Sequence, residues 1–165
     1  MAATHVQNVK ILGSEKTLCL YENMKLYINS ELFAKDVTNF FICENFLLFV
    51  RATQGLLYSL YLYDLNEGLP VYGNEQPAVL PEGADSFNVR SVERGSRIVT
   101  ASGVKVILQM PRGNIETLYP RLLMFKALRR LIVESDPPEY QAAFLMLRQH
   151  KINFNLLYDL NPVAF

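Results

Sequence analysis

The chain has 165 residues, 50% of them hydrophobic and 19% charged, so it can bury a real core and falls outside the disordered class. Formal net charge is zero, yet residues 1–85 hold 5 Lys/Arg against 10 Asp/Glu while residues 86–165 hold 11 against 6. Such asymmetry can mark a surface for an acidic partner or nucleic acid, but no run of five like charges occurs and ordinary solvated faces are the simpler account.

Short apolar runs broken by polar pairs fill the first two thirds of the chain. Val9–Leu12, Thr17–Tyr21, Lys25–Ile28 and Glu31–Ala34 read as four strands. Connections of two to four residues force antiparallel neighbours, so these strands form a meander. A second round follows, with strands at Val37–Cys43, Phe46–Ala52 and Leu56–Asp64. Both faces of the last are largely apolar, so it should be covered on both sides. Leu69–Tyr72 is a weak fourth strand, placed on an outer edge because Pro70 cannot donate to a ladder. Residues 73–85, with Pro77, Pro81 and Gly83, read as a surface loop.

A third round is expected at Phe87–Glu93, Ser96–Ala101, Val104–Met110 and Ile115–Leu118. Aligning Glu44-Asn45 with Arg94-Gly95 gives a repeat of 50 residues. Four short strands at a period of about 40–50 residues are the mark of propeller blades. The expected fold is therefore about three four-stranded antiparallel blades over residues 1–118, an incomplete WD40-like propeller, since three blades cannot close the usual ring.

The seam Gln109–Arg121 separates strands from helices. Pro120 suits the first position of a helix, and neither Gly nor Pro recurs before Val133. Leu118, Leu122, Phe125, Leu128 and Ile132 form one apolar stripe, with Lys126, Arg129 and Arg130 beside it as a candidate basic contact surface. Asp136, Pro137 and Glu139 predict the cap and first turn of a second helix, which ends near Gln149-His150-Lys151. A third, short helix should follow Ile152 and end before Pro162. Helix pairs with short links are α-solenoid units, so residues 119–165 are expected to be the first two to three solenoid helices, truncated.

The residues carry little chemistry. His5 sits in an expected frayed terminus and His150 at a helix end, neither with Cys, Asp or Glu at ligand spacing, so no metal is expected. No phosphate-binding glycine loop and no nucleophile elbow occurs, so no catalytic residue, cofactor or small-molecule substrate is expected. Cys19 and Cys43 lack metal or disulfide spacing and suit a reducing compartment. No stretch of 18 apolar residues predicts a membrane span. The nine Tyr and ten Phe could stack bases, but they fall at strand spacing and read as core.

Several strings resemble one family. Val92–Thr100, Leu108–Glu116, Tyr119-Pro120-Arg121, Ala143-Phe144, Arg148 and Lys151–Asp159 resemble the end of the second propeller and the start of the solenoid in the IKAP family, the largest subunits of the Elongator complex. Leu26–Asn29 and Val37–Phe40 fit more loosely. The resemblance implies a non-catalytic scaffold fragment. It supports transfer RNA wobble-uridine (U34) modification by assembling with the other Elongator subunits, including the catalytic one. Transfer RNA would be touched indirectly or weakly, and the family's dimerisation region would be absent. It implies a cytoplasmic location, with the nucleus as a second. Met110, Pro111, Arg112, Gly113, Asn114, Tyr119, Pro120 and Arg121 are then structural or interaction candidates at the seam. The alternatives are a generic propeller–solenoid interaction module without a transfer RNA role, and a direct RNA binder using Arg112, Arg121, Lys126, Arg129 and Arg130.

Overall fold

A computed structural model describes residues 2–11, 13–52, 57–65 and 89–162. The chain separates into two compact units, Met1–Pro120 and Arg121–Phe165.

In the first unit, β1 (Ala3–Ile11), β2 (Ser14–Tyr21), β3 (Leu26–Ile28) and β4 (Glu31–Ala34) form one antiparallel sheet in that order. A second sheet has the order β5 (Val37–Cys43), β6 (Phe46–Ala52), β7 (Tyr58–Asp64) and β8 (Val89–Val92). A third pairs β9 (Arg97–Ser102), β10 (Lys105–Gln109) and β11 (Ile115–Leu118). Alternation sets the faces. In β2, Leu18 and Leu20 are buried while Thr17, Cys19 and Tyr21 point the other way. β7 is buried at Ser59, Leu60, Tyr61 and Leu62, so it is covered on both faces, as its double apolar pattern predicts.

The sheets pack on one another through their interiors. Leu18, Leu20, Leu26, Ile28 and Phe33 of the first sheet share one core with Val37, Phe40, Leu47, Phe49 and Tyr61 of the second. Phe33 meets the rings of Phe49 and Tyr63 edge-on at 5.8 and 5.7 Å, and Phe49 stacks on Tyr61 at 5.1 Å. Burying a side chain such as Phe49 stabilises by roughly 1.5–3 kcal/mol. Strand β5 packs beside β9, and the Asn39 side-chain oxygen accepts the Ile98 N–H at 2.7 Å, which joins the second and third sheets.

Several expectations change. The strand at Phe87–Glu93 does not open the third sheet: Val89–Val92 pairs with Tyr58–Tyr61 as the outer strand of the second. That leaves three strands in the third sheet among the described residues, where four were expected. Its β9 pairs with β10 and lies beside β5 of the second sheet. The weak strand at Leu69–Tyr72 lies outside the described residues. The repeat alignment also moves. Arg94-Gly95 is the link from the second sheet to the third, whereas Glu44-Asn45 is a hairpin between Cys43 and Phe46. Its counterparts are the turns at Gly13 and Gly103, each the first hairpin of its sheet, and Gly13, Glu44 and Gly103 all take positive φ within those two-residue loops. Finally, β1 starts at Ala3 rather than Val9, and His5 is not frayed but packs edge-on against Phe40 at 4.6 Å. Polar side chains pay into this strand: Thr4 donates to the Leu20 carbonyl and Thr17 to Asn8.

The second unit holds α1 (Arg121–Arg129), α2 (Tyr140–His150) and α3 (Asn155–Leu160) around Leu128, Ile132, Ala143, Leu147 and Leu157. Leu118 of the expected apolar stripe belongs instead to β11. The helix expected to run to Val133 stops at Arg129 and widens into a π-helical turn at Arg130–Glu134. Both the backbone N–H and the hydroxyl of Ser135 donate to the Arg130 carbonyl at 3.0 Å, which fixes the five-residue spacing. The second helix begins at Tyr140, and Asp136 does not cap it. Pro138 disfavours helical backbone at Pro137, and the Glu139 N–H is bound to the Leu131 carbonyl.

Candidate interaction surfaces

The turn between β10 and β11 is closed by two backbone bonds, Met110 N–H to the Asn114 carbonyl at 2.8 Å and Gly113 N–H to the Met110 carbonyl at 2.9 Å. Gly113 has φ +88°, a conformation that suits glycine alone among common residues. Ser96 is buried under this turn. Its hydroxyl donates to the Glu93 carbonyl at 2.6 Å and lies 3.6 Å from the Met110 sulfur. Met110 is therefore an inward anchor. Arg112 reaches Glu93 across a solvent-exposed 3.8 Å ion pair. Tyr119 and Pro120 complete the first unit and Arg121 opens α1 of the second.

The basic candidates lie at the end of the first helix. Lys126 is half-buried, while Arg129 and Arg130 are exposed where α1 passes into the π-helical turn. Arg129 pairs with Glu134 at 3.8 Å. Arg121 lines a concave feature of the helical unit.

Two concave features went unread in the sequence. One, of about 520 Å³, lies on the face of β2 and β3 that carries Thr17, Cys19, Tyr21 and Tyr27, opposite the buried leucines. Tyr21 and Tyr27 meet edge-on at 5.3 Å there. The alternation in β2 was the available signal. The other, of about 450 Å³, lies within the helical unit. Met124, Phe125 and Leu128 of α1 face Ile152 and Leu156, while Arg121, His150, Lys151 and Asp159 stand at its edges. Its parts come from three separated stretches, and no spacing rule joins them.

The Cys43 thiol is buried between the second and third sheets, and both cysteines are free. Burial pushes its pKa up, the Glu44 carboxylate adds to this, and a backbone hydrogen bond from Gly103 opposes it. Among the described residues, no group of three or more His, Cys, Asp or Glu is placed to hold a metal ion.

Successive small antiparallel sheets, stacked through their faces and joined outer strand to inner strand, define a set of β-propeller blades that does not close into a ring. The chain belongs to the ELP1 N-terminal second beta-propeller family, whose model matches residues 3–99. It is similar to a putative elongator complex protein 1 of Xenopus laevis, 35% identical over 157 residues that cover 94% of this chain and 13% of that protein. Elongator complex protein 1 of Saccharomyces cerevisiae is 36% identical over 146 residues, 87% of this chain and 10% of the relative. The Schizosaccharomyces pombe protein of the same name is 37% identical over 143 residues, 86% of this chain and 11% of the relative. The chain thus spans about a tenth of the length of these relatives.

Proposed function

We propose that the chain acts as a non-catalytic scaffold portion of an Elongator assembly and supports wobble-uridine modification of transfer RNA by holding other subunits in place. The match of the family model to residues 3–99, the stretch that holds the first two sheets and the start of the third, carries this reading. The relatives extend the similarity into the helices, because they cover up to 94% of the chain. The other Elongator subunits, the catalytic one included, are the proposed partners, and the cytoplasm is the proposed location. Residues 119–165 are proposed to start an α-solenoid. Transfer RNA is proposed to be reached through partners, since Arg112 and Arg129, two of the five basic residues considered for RNA, are bridged to carboxylates.

A chimera tests this. The matching stretch of the Saccharomyces cerevisiae relative is replaced by this chain, and the tagged protein is purified. Recovery of the remaining subunits and restored wobble-uridine modification, measured by mass spectrometry of transfer RNA, are expected. A chimera that is folded and abundant yet recovers no subunit rejects the reading.

A further inference from the structure

We propose that the groove of the helical unit is a docking site for an acidic peptide segment that inserts one large apolar side chain. The site lies beyond the scaffold role and does not depend on it.

The floor is apolar. Met124 and Leu128 are buried and Phe125, Ile152 and Leu156 are half-buried around a hollow of about 450 Å³. That volume is of the order taken by compact ligands and accommodates a Leu or Phe side chain with its flanking backbone. The edge is cationic on balance: Arg121 and Lys151 are exposed there, with Asp159 the one acidic residue in the lining. An apolar floor under a basic edge fits an anchor residue flanked by carboxylates.

Lys151 marks where α2 meets the groove. It ends α2 in the left-handed region at φ +54°, the place where glycine serves best. The Lys151 N–H binds the Arg148 carbonyl at 3.3 Å and the Ile152 N–H binds the Leu147 carbonyl at 2.9 Å, a glycine-type helix end built on lysine. Its positive charge suits the helix C-terminus, whose dipole favours cations, and it also stands exposed at the groove. Nucleic acid fits less well, because base stacking needs aromatic faces and the apolar floor offers one phenyl ring, Phe125.

The test uses the full chain and a fluorescent peptide of about twelve residues with a central Leu-Phe pair flanked by Glu and Asp. Anisotropy should show saturable binding that weakens with added salt. The Gln/Asn version of the peptide should bind about ten-fold more weakly, as should Arg121→Glu with the acidic peptide. Lys151→Gly removes the charge while supplying the residue the helix end favours, so it keeps the fold and should weaken binding about three-fold. Equal binding of both peptides, or full binding by Arg121→Glu and Lys151→Gly, overturns the proposal. So does a structured RNA that depends on Arg121 and Lys151 when the acidic peptide fails to bind. Recovery of Elongator subunits by the chimera is scored separately, so either reading can fail alone.

Discussion

The sheet unit and the helical unit bury their apolar residues in different ways. In the sheets, side chains from two separate hairpin systems interlock, so Phe33 contacts Phe49 and Tyr63 across a sheet boundary. The exposed Val6, Met24, Leu57, Val99 and Ile115 are scattered along that unit. The helices bury one stripe, Leu128, Ile132, Ala143, Leu147 and Leu157, and leave Phe144, Leu145, Phe154 and Tyr158 substantially exposed. Phe144 and Phe154 sit together, their rings 5.6 Å apart. Stacked sheets cover both faces of an inner strand, whereas a few short helices cover one face each.

Core truncations test this contrast most strongly. Phe49→Ala should cost about 3–5 kcal/mol, since it empties a site shared by two sheets. Leu147→Ala removes a smaller side chain from a smaller core and should cost about 2–4 kcal/mol. Denaturant unfolding gives the totals, and hydrogen exchange should show protection falling in β5–β7 for the first and in α2 and α3 for the second. The comparison breaks if Leu147→Ala proves the costlier change.

Next comes the bond that ties the second sheet to the third. Asn39→Ala leaves the Ile98 N–H without its 2.7 Å acceptor in a half-buried setting, and should cost about 1–3 kcal/mol. Asn39→Asp keeps an oxygen in place and should recover most of that loss in the same unfolding measurement. Equal losses in the two variants would show that the acceptor is not what Asn39 contributes.

Period-two alternation and turn residues made the strands legible, and with them the blade class. Strand membership was not legible, because it depends on partners distant in sequence. Val89–Val92 reads equally well as a first strand or a last one, and only its ladder with Tyr58–Tyr61 decides. Glu44 hid the hairpin repeat, since it holds the positive φ that glycine takes at positions 13 and 103. The helix start at Asp136 misled for a local reason, the second proline of Pro137-Pro138. The helical groove could not be read at all, because Arg121, Lys151 and Asp159 come together only through packing. Of the candidate basic residues, Arg112, Arg121, Arg129 and Arg130 are exposed and Lys126 is half-buried.

The two cysteines sharpen the contrast inside the sheet unit itself. Cys19 lies half-exposed on the groove-bearing face of β2, while Cys43 is buried beside the turn at Gly103. A thiol reagent at neutral pH should therefore modify Cys19 and leave Cys43 untouched until the protein unfolds. The pH dependence follows from the same burial. Desolvation and the Glu44 carboxylate raise the folded-state pKa of Cys43 above the ordinary 9.0, and the Gly103 bond only partly offsets them. Folding thus favours the neutral thiol. The stabilisation is fully present below the unfolded thiol's pKa and is lost as pH rises through the folded value. Urea midpoints measured from pH 8 upward should fall more steeply for the native chain than for Cys43→Ala. Should Cys43→Ala fall as steeply as the native chain, the buried thiol would not be the group that titrates.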